Sequence, residues 1–88
     1  MAEAGRGENI RHEIREFILE RFLPGTRASE LSDDTPLVTG AILDSLATVQ
    51  LVSWLEERYG IAIQAHETSV DYLNTVADIA GLVESKLA

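Results

Sequence analysis

The segment GAILDSLATVQLVSWLEERYGI, Gly40–Ile61, constrains the fold most, because it encodes a helix together with both of its ends. Asp44 and Ser45 stand at the start, and both residue types accept hydrogen bonds from the free N–H groups of a first turn. Gly60 stands where a helix from about Ser45 to Tyr59 must stop, since glycine readily takes the left-handed conformation that closes a last turn. At helical spacing Thr48, Leu51, Val52, Leu55 and Tyr59 gather on one side, which is the expected core face. Leu46, Val49, Gln50, Ser53 and Glu57 share the opposite side, with Trp54 at the boundary.

The rest of the chain can be assigned around that helix. Residues 1–8, rich in Gly, Ala and Glu, read as a disordered tail. From Asn9, a candidate N-cap, Ile10, Ile14, Phe17 and Ile18 form one face of an amphipathic helix running to about Phe22. Leu23-Pro24-Gly25 ends it, because proline removes a donor and glycine permits positive φ. A long connection, Thr26 to Leu43, carries SDDTP and the apolar residues Leu31, Leu37, Val38, Ile42 and Leu43, which are expected to pack across the bundle. A helical turn or two is expected around Glu67–Leu73. Thr75 with Asp78 three residues later resembles a capping box and opens a last helix with the stripe Val76, Ile79, Ala80, Val83 and Leu87. The expectation is an all-α protein: a small three-to-four-helix bundle over residues 9–88, with a long loop between helices one and two.

Composition narrows the function classes. A chain of 88 residues forms one small domain, which buries only about 60% of the surface its unfolded chain exposes. It contains no cysteine, so disulfide frameworks and thiolate metal sites are excluded. No apolar run approaches the ~20 residues of a membrane span, and the first residues lack a signal-peptide core, so a cytoplasmic, membrane-free protein is expected. Once the bundle closes no long exposed apolar stripe remains, so a monomer is expected. The net charge of −8 is concentrated after the first helix: Met1–Phe22 carries −1, Leu23–Asp44 −3 and Ser45–Ala88 −4. Such a surface repels nucleic acid and favours partners with basic docking surfaces, although acidity also serves simple solubility.

Catalysis has little support. Ser45 would need a base, and the two histidines, His12 and His66, lie among charged or polar residues. No Gly-x-Ser-x-Gly elbow is present, and Asp33-Asp34 lacks the spacing of a calcium loop. The chain is therefore not expected to be an enzyme.

Ser45 invites a different role. As a helix cap it would contribute about 1 kcal/mol and nothing more. Beside it, however, Leu46 and Val49 place two apolar side chains on the polar face. A helix N-terminus also favours a negative group, so a hydroxyl there suits a phosphodiester.

The DSL triplet Asp44–Leu46, with Gly40 upstream and the helix pattern after it, closely resembles the signature of acyl carrier proteins and their peptidyl and aminoacyl relatives. The resemblance extends in weaker form over nearly the whole chain, including DDTPL in the long loop and the capped last helix. It implies that Ser45, with Asp44 beside it, is the attachment site of 4′-phosphopantetheine, taken covalently from coenzyme A by a phosphopantetheinyl transferase. The arm's thiol would then hold an acyl or aminoacyl group as a thioester, between a loading enzyme and a downstream acyltransferase or synthase. On this reading Leu46, Val49, Gln50, Ser53, Trp54, Glu56 and Glu57 form the partner-contact face.

Carriers of fatty-acid synthesis usually follow DSL with acidic residues. Here the matching exposed positions are Ala47, Gln50 and Ser53, with acids only at Glu56 and Glu57, which weakens electrostatic steering and argues against a housekeeping fatty-acid carrier. The Gly-x-Ile-x-Asp-Ser-Leu entry, Gly40–Leu46, resembles instead that of discrete carriers in specialised pathways. The alternative is a helical interaction module in which Leu46, Val49 and Trp54 form a docking patch and Ser45 is only a cap. Covalent modification of Ser45 separates the two.

Overall fold

The computed structural model describes residues 2–88, with side chains described from Gly7 onward. Four helices follow in order: α1 (Ala2–Phe22), α2 (Ser45–Tyr59), α3 (Val70–Leu73) and α4 (Val76–Leu87). Single 3₁₀ turns interrupt the two long connections at Ala28–Glu30 and Ala65–Thr68. The fold is all-α, and no strand occurs among the described residues. No helix among them is long and apolar enough to cross a membrane.

The start of α1 differs from the sequence expectation. The helix begins at Ala2, so residues 2–8, expected as a disordered tail, are helical, and Asn9 is an exposed interior residue rather than the N-cap. Met1 lies outside the described residues. Alanine and glutamate recur in this stretch, both strong helix formers, and acidic residues suit the positive end of a helix. Gly7 passes so close to α4 that a Cβ would come within 2.7 Å of the Glu84 carboxylate.

The core is a single apolar cluster. Helix α1 contributes Ile10, Ile14, Ile18 and Leu19, and packs along α4, which contributes Val76, Ile79, Ala80, Leu82 and Val83. The first long connection supplies Leu31, Leu37 and Leu43, which close the bundle as its apolar content predicts. It is pinned at Asp33, whose carboxylate pairs with Arg11 and Arg15 of α1 while its backbone oxygen accepts from Ala77 N of α4. Helix α4 starts at the expected cap, with Thr75 Oγ1 accepting from Asp78 N at 3.0 Å.

Helix α2 runs from Ser45 to Tyr59, and Gly60 ends it in the left-handed conformation at φ 65°. Its buried stripe is Ala47, Leu51 and Leu55, whereas Thr48, Val52 and Tyr59 are only half-buried. Ala47 was expected at an exposed position. The helix is rotated about its axis because Trp54 stacks flat on Phe17 of α1, with ring centroids 4.4 Å apart. Tyr59 anchors the far end, donating to Glu13 Oε1 at 2.6 Å. Burial and that hydrogen bond push the Tyr59 phenol well above its ordinary pKa.

Candidate functional site around Ser45

The turn before α2 determines how Ser45 is presented. The Leu37 carbonyl accepts from both Ile42 N and Leu43 N, each at 2.8 Å, and so folds residues 37–43 back on themselves. This requires Gly40: a Cβ there would stand 2.2 Å from the Pro36 carbonyl oxygen. Ala41 follows at φ 65°, a left-handed conformation that strains a non-glycine residue.

Asp44 is the residue that caps α2. Its backbone is extended, its Oδ1 accepts from Ala47 N at 2.8 Å, and its carbonyl accepts from Thr48 N at 2.9 Å. Ser45 is therefore the first helical residue, and its exposed hydroxyl has no hydrogen-bond partner among the described residues. With Ala47 and Thr48 satisfied by Asp44, the Ser45 and Leu46 N–H groups precede any intrahelical acceptor and point out of the helix start. The positive end of the α2 dipole acts at the same place. A free hydroxyl beside free N–H donors suits the phosphodiester of a pantetheine arm.

The surroundings are mostly apolar, with the Asp44 carboxylate beside the serine. Leu46 is 67% exposed and Val49 62% exposed, and they share a face with Ser53 and Glu57, which are also exposed. From Ser45 through Leu55, α2 carries no charged residue. A groove of about 630 Å³ opens beside Ser45. Val38 and Leu43 of the loop, Thr48 and Val52 of α2 and Thr68 of the second 3₁₀ turn line it.

The remaining residues expected at a partner face are placed differently. Gln50 is half-buried at the edge. Trp54 turns away into its stack on Phe17 and an edge contact with Tyr59. Glu56 is committed to the fold, its Oε2 accepting from Ile63 N at 2.9 Å. Sequence periodicity overlooked these two roles because the partners lie on other segments. It also gave Val38 and Thr48 packing roles only and did not single out Thr68 or Asn74, because their relation to Ser45 depends on the path of two loops.

Comparison with known proteins places this geometry in a family. The profile described as "Phosphopantetheine attachment site" matches residues 18–83. An acyl carrier protein of Thermotoga maritima is 28% identical over 80 residues, covering 91% of this chain and 94% of that protein. "Acyl carrier protein 2, chloroplastic" of Hordeum vulgare is 40% identical over 60 residues, 62% of this chain, and the chain spans only 45% of that protein's length. Among solved structures, one described as "Structure of KstB-PCP(apo)" superposes with a TM-score of 0.67 at 25% identity, covering 85% of this chain and 82% of that one. Another, described as "Crystal structure of FAD-dependent dehydrogenase", reaches a TM-score of 0.72 at 36% identity over 80% of this chain and 97% of that one. The bundle, its capped α2 and the profile over residues 18–83 agree: the chain belongs to the phosphopantetheine-attachment family, a carrier with 4′-phosphopantetheine as its prosthetic group and not an enzyme.

Proposed function

We propose that Ser45 carries the phosphopantetheine arm and that the protein shuttles acyl or aminoacyl groups on it between enzymes of a specialised biosynthetic pathway. The observation that carries the assignment is the division of labour at the start of α2: Asp44 holds the cap, which leaves the Ser45 hydroxyl exposed and uncommitted. Ser45 Oγ loses its proton and forms a P–O bond to the pantetheine-side phosphorus of coenzyme A, whose pyrophosphate bond breaks to release adenosine 3′,5′-bisphosphate. The Ser45 and Leu46 N–H groups and the helix dipole then favour the phosphodiester, the dipole by about 0.3–1 kcal/mol. The arm supplies the thiol that the cysteine-free chain lacks.

The specialised pathway is supported by the character of α2. Its exposed face presents Leu46, Val49 and Ser53 and has no acid in its first turn. Docking on this face rests on apolar contact, with Asp44 and Glu57 at the rim meeting basic groups of a transferase, loading enzyme or acceptor. The likeness to KstB-PCP, a peptidyl carrier protein, supports a carrier of that kind. We read the carrier as a cytoplasmic monomer. Incubating apo-protein with a panel of loading enzymes, and measuring docking at rising salt, tests the pathway reading. Weak salt dependence is expected, whereas binding that collapses between low and moderate salt would point to an acid-steered fatty-acid carrier.

A further inference from the structure

Asn74 follows the single turn of α3 and precedes Thr75, the cap of α4. A residue at that junction has no need of contact with the first long loop. Yet its side-chain oxygen accepts from Val38 N and Thr39 N, both at 3.0 Å, and its backbone carbonyl accepts from Leu37 N at 2.6 Å. Three successive loop donors end on this one residue. The Leu37 carbonyl in turn holds Ile42 N and Leu43 N, so the clamped segment leads directly into Asp44 and Ser45.

The same contacts join two parts of the groove beside Ser45. Val38 lines it from the loop, and Thr68 lines it from the connection that leads into α3. Asn74 ties the loop to the end of α3, and α3 packs on the turn that carries Thr68, while Thr48 and Val52 of α2 also line the groove. The loop carries strain of its own at Ala41, which gives it reason to relax if released.

We propose that Asn74 is a positioning residue for Ser45: its side-chain oxygen locks residues 37–39 to the α3–α4 junction, and so sets the shape of the groove and the presentation of the serine to the modifying enzyme. The proposal rests on the reading of Ser45 as the attachment site. Only the acceptor oxygen is used in these bonds, so aspartate can replace asparagine, whereas alanine cannot.

The test compares wild type, Asn74→Ala and Asn74→Asp as apo-proteins, by amide hydrogen exchange and by kinetics of modification with coenzyme A and a phosphopantetheinyl transferase. Asn74→Ala is expected to keep its far-UV circular dichroism but to lose protection at Val38 and Thr39. Losing the side-chain bonds from Val38 N, Thr39 N and Thr39 Oγ1 should lower kcat/KM for Ser45 modification by roughly tenfold. Asn74→Asp should restore both readouts. A folded Asn74→Ala modified at the wild-type rate, or an Asn74→Asp as slow as Asn74→Ala, would overturn the proposal. If Asn74→Ala fails to fold, exchange in the wild type decides: Val38 and Thr39 amides as unprotected as a free peptide refute the clamp. Absence of modification in the wild type would instead refute the Ser45 reading, with the exchange data still testing the clamp by itself.

Discussion

The roles of Asp44 and Ser45 can be separated by stability alone. Asp44→Ala removes the 2.8 Å hydrogen bond to Ala47 N and the negative charge at the start of α2. The cap contributes about 1 kcal/mol and the dipole interaction a further 0.3–1 kcal/mol, so a loss of about 1–2 kcal/mol is expected. For a domain of this size each kcal/mol moves Tm by roughly 4–8 °C, which places the expected fall on the order of 10 °C. Asp44→Asn keeps the acceptor and should recover most of it. Ser45→Ala removes a hydroxyl with no partner among the described residues and should change stability by less than about 0.5 kcal/mol. Urea unfolding of wild type and the three variants, followed by circular dichroism and by Trp54 fluorescence, gives these stability changes, since Trp54 lies in the α1–α2 contact and reports its loss. A Ser45→Ala protein as destabilised as Asp44→Ala would refute the reasoning, because the serine would then be a cap.

Other expectations follow from the same geometry. Gly40→Ala drives a Cβ into the Pro36 carbonyl and should cost about 1–3 kcal/mol, while Ala41→Gly relieves the left-handed strain and should stabilise by up to about 1 kcal/mol; paired urea titrations check the opposite signs. Leu55→Ala, at a fully buried position, should cost about 2–5 kcal/mol, whereas Leu46→Asp and Val49→Asp should leave the unfolding midpoint nearly unchanged and slow transferase modification. The Lys86 ammonium, 2.9 Å from Glu67, holds that carboxyl below its usual pKa, with the Gln64 N–H adding to the effect. Because the folded value lies below the unfolded one, this pair contributes stability above the ordinary glutamate range and loses it as pH falls through the depressed folded value. NMR titration of Glu67 should return towards the ordinary value in Lys86→Ala; an unchanged titration would refute the pairing.

Much of this site was legible in the sequence because it depends on neighbours in the chain. The Asp44 and Gly60 ends of α2 are local signals, as is the Thr75–Asp78 cap, and all three stand where the sequence puts them. The choice between Asp44 and Ser45 as cap was not legible, since both residues can accept and only the backbone path decides. Ala47 was misplaced because alanine carries little hydrophobic signal, and the orientation of α2 is set by a stack with Phe17, which lies on another helix. The start of α1 was missed because Gly5, Gly7 and Asn9 argue locally against a helix that Ala and Glu still carry. Asn74 carries no signal in the sequence, because its hydrogen bonds to Val38 and Thr39 depend on where the long loop returns.

The central claim is that Ser45 carries the prosthetic group, and intact-protein mass tests it most directly. Wild type and Ser45→Ala are incubated with coenzyme A and a broad-specificity phosphopantetheinyl transferase. The account predicts a gain of one phosphopantetheinyl group in the wild type and none in the variant. A folded wild-type protein that gains nothing, or a Ser45→Ala variant that gains the same mass, would contradict it.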